Sequence, residues 1–547
     1  MIFLSKYISK CEITVFEVTD MKELKLEELS VRQKLGMCLS LFSYGASGVD
    51  DENFQYALQL IREHSLGAFW LTPNNGDFEK MQAKILETAD YPILMMTDAE
   101  SGIGEYRVGE ANAIASTGNE ELAYTFGKVC AVTARKMGYN VVCNPVVDMC
   151  AEDAVCGGVV RSLGGDKEKV ARMAAAVARG ARDGGVLTVA KHYPSATDPM
   201  IDSHMEENCS MVTKEELLDY NLYPYLYLMK ENVLDGIMVG HSRLPNIDPD
   251  YPASLSKKVN SVIREQGFDG FLVTDALEMM GVVAKFGRQG CKGLSIAGGC
   301  DLALVSGSNR ESLEALVESY EKGLIDDERL NEAARHVLEA QHKVMMANQN
   351  PMLTEEDLDK FDRINRDSTF ARTDHQVSVA LDRNGRYLFV VLKENPMLKE
   401  ADGKVFVDTM GVKWYKPDQI IEQLKELFPN SGVETIYEFP RPIQNLNIMD
   451  AALKYDEVVF VSFIATQTCV GKECLTDRIL TLLRGLKTAG KLSTIVHFGN
   501  PFALESTPHV ERLLIGNTSA KNVEYTMEIL SGKYPAKGVL PYPVKLP

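Results

Sequence analysis

The chain has 547 residues, 45% hydrophobic and 25% charged, with a formal net charge of −19. That length allows two or more domains with cores of their own, and the composition is that of an ordinary globular protein. The acidic balance argues against nucleic acid and anionic membrane surfaces as partners, and no apolar run reaches the roughly 20 residues a membrane helix needs.

Residues 1–29 read as an N-terminal extension. The first 17 carry Lys6, Lys10 and Glu12 and no small-residue cleavage site, so no secretion signal is expected, and Met21 is a second candidate start. Eleven cysteines are scattered through the chain: Cys11, Cys38, Cys130, Cys143, Cys150, Cys156, Cys209, Cys291, Cys300, Cys469 and Cys474. They are odd in number and form no Cys-x-x-Cys pair. Reduced thiols in a cytoplasmic protein are the expectation, with no metal site.

Residues 30–345 alternate short apolar runs with helical patterns. The runs are 67–71, 92–98, 141–145, 186–192, 236–241, 270–275 and 301–305, and the clearest helical segments are 119–137 and 167–183. Repeated βα units over this length predict a TIM-like (β/α)8 barrel, with a doubly wound open sheet as the alternative. The run ends favour the barrel. Asp98, Asn144, His192, His241 and Asp275 all stand there, and barrel enzymes collect their chemistry at the C-terminal ends of strands.

Residues 346–375 have few aliphatics and read as a linker with a helical turn or two. Residues 376–547 show strand-like runs at 386–392, 433–439, 458–464, 493–498 and 512–515, with helical patterns at 418–427, 475–488 and 522–530. This predicts an αβα three-layer sandwich over a mainly parallel sheet. It carries no phosphate-binding glycine fingerprint, so no nucleotide cofactor is expected.

Two stretches carry candidate chemistry. Asp202 and His204 are two apart, so in an extended segment they point the same way. The carboxylate can then fix one imidazole nitrogen and leave the other as a general acid/base. A polar surface loop is the plainer alternative. Asp275 follows the apolar run Phe271-Leu272-Val273-Thr274, where a carboxylate is rigidly placed and shielded on one side, as a nucleophile needs. A helix N-cap would suit the same position.

Lys191-His192-Tyr193-Pro194, seven residues, then Asp202-Ser203-His204 resembles the signature of the family 3 glycoside hydrolases, in the β-N-acetylglucosaminidase branch. Val273-Thr274-Asp275-Ala276-Leu277 resembles the nucleophile motif of that family. Asp98-Ala99-Glu100-Ser101-Gly102 is similar to its Asp-Gln-Glu-Gly-Gly, with Arg107 as the arginine that follows. Val160-Arg161-Ser162-Leu163-Gly164 is similar to its Arg-Ser-Phe-Gly, and residues 252–256 and 532–541 also look like the family. The chain departs from the pattern at Ser195-Ala196-Thr197, where the family usually has Gly-His-Gly or Gly-Leu-Gly.

The resemblance implies a two-domain retaining β-N-acetylhexosaminidase. Asp275 would form a glycosyl-enzyme, and His204, oriented by Asp202, would serve as acid and base. Asp98, Arg107, Arg161, Lys191, His192 and His241 would hold the sugar. Glu100, Glu105 and Glu110 read as loop surface. The implied partner is a small GlcNAc-terminated carbohydrate from cell wall or chitin, as in peptidoglycan recycling, and no cofactor is implied. Three alternatives stay open: a phosphorylase, a catalytically weakened sugar binder, and a β-glucosidase.

Overall fold

The computed structural model describes residues 21–42, 48–72, 77–150, 159–196, 201–307, 309–393, 397–401, 404–408, 417–464 and 474–547. Most of the 1–29 extension, Cys11, Cys156, Cys469 and Thr197 lie outside them. The chain divides into two compact units. The first gathers residues up to Gly104 with Tyr124–Asp148 and Ala174–Thr354. The second gathers Glu105–Ala123, Met149–Met173 and Glu355–Pro547.

In the first unit, eight strands run parallel: β1 (Leu39–Phe42), β2 (Ala68–Trp70), β3 (Leu94–Asp98), β4 (Val141–Cys143), β5 (Leu187–Tyr193), β6 (Gly236–Val239), β7 (Phe271–Thr274) and β8 (Ala303–Val305). Each pairs with the next along the ring from β1 to β7, and β8 pairs back onto β1, with Leu39 opposite Ala303. An isolated parallel bridge from Val273 to Leu302 joins β7 to β8 and closes the circuit. The architecture is therefore a barrel, not an open sheet.

Strand residues two apart share a face, and one such face fills the interior. Ala68 and Trp70, Leu94 and Met96, Val141 and Cys143, Leu187 and Val189, and Phe271 and Val273 form a single buried cluster. The helix Asp327–Met346 adds Val337, Ala340 and Val344 to it. Outside the ring, the helices Glu120–Lys136 and Lys167–Asp183 approach closely because each presents a glycine. A Cβ on Gly127 would stand 2.0 Å from the Val177 carbonyl oxygen, and one on Gly180 would stand 2.0 Å from that of Tyr124.

β1 has no counterpart among the runs read from sequence. It is a four-residue Leu-Ser-Leu-Phe segment with a serine inside it and no ionisable residue at its end to mark it. The buried Ser40 Oγ lies 3.7 Å from Met96 Sδ, so the polar residue is absorbed by the interior.

The second unit is built on a six-stranded sheet: β9 (Phe370–Thr373), β10 (Tyr387–Lys393), β11 (Gly432–Tyr437), β12 (Glu457–Ile464), β13 (Leu492–Gly499) and β14 (Arg512–Gly516). Their order is β9-β14-β13-β12-β10-β11, and only β9 runs antiparallel to its neighbour. Alternate residues feed two cores. On one face Leu388, Val390 and Phe460 meet Ile448 and Leu483 of the helices Pro442–Ala452 and Asp477–Thr488. On the other, Phe389, Val461 and Phe498 meet Leu424 and Met527 of the helices Pro417–Leu427 and Ala520–Leu530. This is the three-layer sandwich expected.

The 346–375 segment is more ordered than its composition implies. It holds a 13-residue helix, Glu355–Asp367, and the edge strand β9. Only Phe361 and Ile364 give that helix a buried apolar side, and charged residues surround them, so the segment reads as polar overall although its few apolar residues share one face. Glu110 is also not loop surface. It is buried in this unit and accepts the Thr518 N–H at 2.9 Å and the Thr518 hydroxyl at 2.6 Å.

Candidate active site

The C-terminal ends of β3 to β7 bring seven of the nine candidate residues into the first unit. Asp98 is the last residue of β3, and Lys191 and His192 lie in β5. His241 and Asp275 stand just beyond β6 and β7, and Asp202 and His204 follow β5. Neighbouring strands fix their depth: the Asp275 N–H donates to Val239 O at 2.8 Å, and the Gly240 N–H to Tyr193 O at 2.8 Å.

Lys191 is 2% exposed, and its ammonium bridges the carboxylates of Asp98 and Glu100. A buried ammonium needs such partners. Glu100, read from sequence as loop surface, is therefore part of the site. Asp98 stays about half exposed, at 55%, so it has capacity for further donors.

His192 is held twice by one side chain. Asp148 accepts its backbone N–H at 2.8 Å and its ring Nδ1 at 2.7 Å. The other ring nitrogen, Nε2, lies 4.0 Å from Asp275 Oδ2. Asp148 ends no apolar run and belongs to none of the motifs read from sequence. The signal that could have promoted it is its place just beyond β4, where the chain runs beside β5: the Val147 N–H donates to Lys191 O at 2.8 Å.

Asp275 is not a helix N-cap. Its Oδ1 accepts the adjacent Ala276 N–H at 2.8 Å, and the next helix begins only at Met280, capped by Met279. Burial opposes its charge. The His192 ring above all, then His241, the Ala276 N–H and Lys191, outweigh that and hold the carboxyl below its ordinary range. Asp275 is thus an ionised carboxylate at neutral pH.

His241 has both nitrogens engaged. Nε2 donates to Ala276 O at 3.0 Å, so Nδ1 accepts from the Ser254 hydroxyl at 2.8 Å. Burial keeps this imidazole below its usual range, although Asp275 pulls it back. With those bonds made, its ring fixes the backbone beside Asp275 and has no nitrogen left for a sugar hydroxyl.

Asp202 and His204 do pair, through a tight turn instead of an extended segment. One oxygen, Asp202 Oδ1, accepts the His204 N–H at 2.9 Å and ring Nδ1 at 2.7 Å, while Asp202 O accepts the Met205 N–H at 2.9 Å. Nδ1 is the donor to the carboxylate, so Nε2 is the nitrogen available to exchange a proton. The turn is tied to the segment after Asp275, where the Gly281 N–H donates to Ser203 O at 3.1 Å. A Cβ on Gly281 would come within 2.8 Å of that oxygen.

Arg107 and Arg161 belong to the second unit. Arg107 is half-buried, and its carbonyl accepts Asn365 Nδ2 at 3.3 Å. Arg161 closes the short 3-10 turn Val159–Arg161, just before Ser162, whose carbonyl accepts the Tyr542 hydroxyl at 3.0 Å. Among the described residues, no group of three or more His, Cys, Asp and Glu side chains could hold a metal ion.

A family model, that of the glycosyl hydrolase family 3 N terminal domain, matches residues 56–340, just over half of the chain. A β-N-acetylglucosaminidase/β-glucosidase of Cellulomonas fimi is 27% identical over 330 residues, 57% of each chain. A β-hexosaminidase of Hydrogenovibrio crunogenus is 32% identical over 214 residues, 38% of this chain and 59% of the relative. The match thus spans less than two thirds of either relative's own length. In three dimensions the chain is similar to a family 3 β-N-acetylglucosaminidase from Paenibacillus, with a TM-score of 0.77 and 23% identity. That likeness covers 95% of this chain and all of the other, and it speaks for the fold.

Proposed function

The chain belongs to glycosyl hydrolase family 3, and from that premise we propose that it is a retaining β-N-acetylhexosaminidase. The observation that carries the reading is the presence in one unit of an ionised, strand-end Asp275 and of a histidine, His204, whose Nδ1 is fixed by Asp202 at 2.7 Å. Asp275 attacks the sugar C1 and forms a glycosyl-enzyme while His204 Nε2 protonates the departing oxygen. His204, now neutral, takes a proton from water as it attacks C1 and frees Asp275. Two displacements at one carbon retain the β configuration.

Asp98, Lys191 and His192, all of the first unit, bind the hydroxyls of the sugar. His241 acts through the backbone it holds beside Asp275. The substrate is a small glycoside ending in β-linked GlcNAc, from cell wall or chitin, and the setting is cytoplasmic peptidoglycan recycling.

A second reading keeps the donor and replaces water by phosphate, because a histidine acid/base carries no negative charge to repel an anion. The carboxylates of Asp98, Glu100, Asp148 and Asp202 argue for water. The test is release from chromogenic β-GlcNAc and β-glucose substrates, each with and without phosphate. The proposal requires β-GlcNAc turnover that phosphate leaves unchanged. Phosphate-dependent release of sugar 1-phosphate would establish the phosphorylase, and no release from either sugar would leave the weakened binder.

A further inference from the structure

The second unit carries an exposed apolar face beside β11, the edge strand of its sheet. Five large apolar side chains lie open within 17 residues of sequence: Tyr437 at 43%, Phe439 at 60%, Ile443 at 58%, Leu446 at 59% and Leu453 at 72%. Ile443, Leu446 and Leu453 fall on one side of the helix Pro442–Ala452 and its C-cap, while Ile448 and Ala452 on the other side enter the core. The helix is thus apolar on two sides, which a surface helix of a self-sufficient domain is not.

We propose that this face binds a second copy of the chain, by two-fold antiparallel packing of the helix Pro442–Ala452 on itself. Area is the first argument. With about 200 Å2 for each full side chain, the five leave on the order of 600 Å2 open, which is the upper end for a monomer's largest patch. A two-fold pair covers roughly twice that, which falls within the range of specific interfaces.

Charge is the second argument. Arg441 precedes the helix and Asp450 lies in its last turn, both exposed and neither with an ion-pair partner among the described residues. A two-fold axis near Leu446 sets Arg441 against Asp450 of the partner subunit, twice over, and brings Phe439 towards Leu453 of the partner subunit. Such a patch is its own complement, as an isologous contact requires, and needs no foreign partner.

The full chain should sediment as a dimer between about 1 and 50 µM, in low salt and in 1 M salt alike, because the contact is mainly apolar. Leu446→Asp and Leu453→Asp should each weaken the dimer at least 100-fold while leaving the melting temperature of the chain nearly unchanged. Arg441→Glu should weaken it about tenfold, and adding Asp450→Arg should restore it. A wild-type monomer at 50 µM overturns the proposal and leaves the face to a different protein. A dimer indifferent to Leu446→Asp overturns it as well.

Discussion

His192 Nε2 stands 4.0 Å from Asp275 Oδ2, and its Nδ1 is held by Asp148 at 2.7 Å. Asp148 anchors the His192 ring, and that ring is the strongest of the influences holding the Asp275 carboxyl down against its burial. A depressed carboxyl is ionised, and so able to attack, down to an unusually low pH. Asp148→Asn loosens the anchor that holds the His192 ring beside Asp275 and lets the Asp275 pKa rise. The acidic limb of kcat/KM should then move upward by roughly one pH unit. A profile of kcat/KM from about pH 4 to 8 measures this. A limb that stays in place would mean that His192 does not set the charge of Asp275.

Asp275→Ala should lower turnover by at least ~10^4-fold, because the carboxylate that must bond to C1 is gone. Nearby Glu278 is no substitute, since burial raises its carboxyl above the usual range and Ser306 N–H holds one of its oxygens at 2.9 Å. A slow fluorosugar should leave its adduct on the peptide containing Asp275. An adduct found on any other residue rules out the assignment.

Much of this site was legible because its residues end buried strands, and a run such as Phe271-Leu272-Val273-Thr274 announces both the strand and its tip. Asp98, His192 and Asp275 were visible for that reason. Asp148 and Glu100 were not, since their importance lies in reaching His192 and Lys191 from other parts of the chain. No local pattern records a contact made 44 residues away. The same limit hid the exhaustion of both His241 nitrogens by Ser254 and Ala276. β1 and the helix Glu355–Asp367 escaped because the one is only four residues long and the other has only two buried apolar side chains among many charged ones.

His497 makes the second unit sensitive to acid. It is buried, its Nε2 donates to Asn500 O at 2.8 Å, and its Nδ1 accepts from the Ser462 hydroxyl at 2.9 Å, so the ring is neutral. Burial pushes its pKa down to about 4. The unfolded chain binds this proton from about pH 6.5 and the folded chain does not. Stability is therefore full above about pH 6.5 and falls as pH drops towards 4, by about 3 kcal/mol in all. His497→Gln should flatten that dependence in urea melts at about pH 7, 5.5 and 4.5. A slope unchanged by the substitution would place the acid sensitivity elsewhere.

Ser195 occupies the left-handed region, with φ 63, at a position where the family usually has glycine. It is buried, its hydroxyl donates to Val147 O at 3.3 Å, and its carbonyl accepts Asn221 Nδ2 at 2.8 Å. Glycine would relieve about 1 kcal/mol of backbone strain and lose about as much from the hydroxyl bond. Ser195→Gly should thus leave the melting temperature nearly unchanged. Ser195→Ala keeps the strain and loses the bond, and should be less stable by about 1 kcal/mol. Equal destabilisation by the two variants would show that the left-handed backbone carries no strain.

The role of His204 can be separated from general damage by varying the leaving group. Its Nδ1 is bound by Asp202, so Nε2 alone can protonate the oxygen that departs. An activated phenol leaves as a stable anion and needs little of that proton, whereas a sugar hydroxyl cannot leave without it. His204→Ala should therefore lower kcat/KM by about 10^3-fold or more on a GlcNAc disaccharide and by roughly tenfold on a dinitrophenyl glycoside. Small anions such as azide should then rescue the aryl substrate by attacking the glycosyl-enzyme, where the base is also missing. Asp202→Asn keeps the imidazole but weakens the fixing of its tautomer, so its losses should fall between those of the wild type and His204→Ala on both substrates. Equal losses for His204→Ala on the disaccharide and the aryl glycoside, without azide rescue, would remove His204 as the acid and base. Its bond to Asp202 would then serve only to shape the turn.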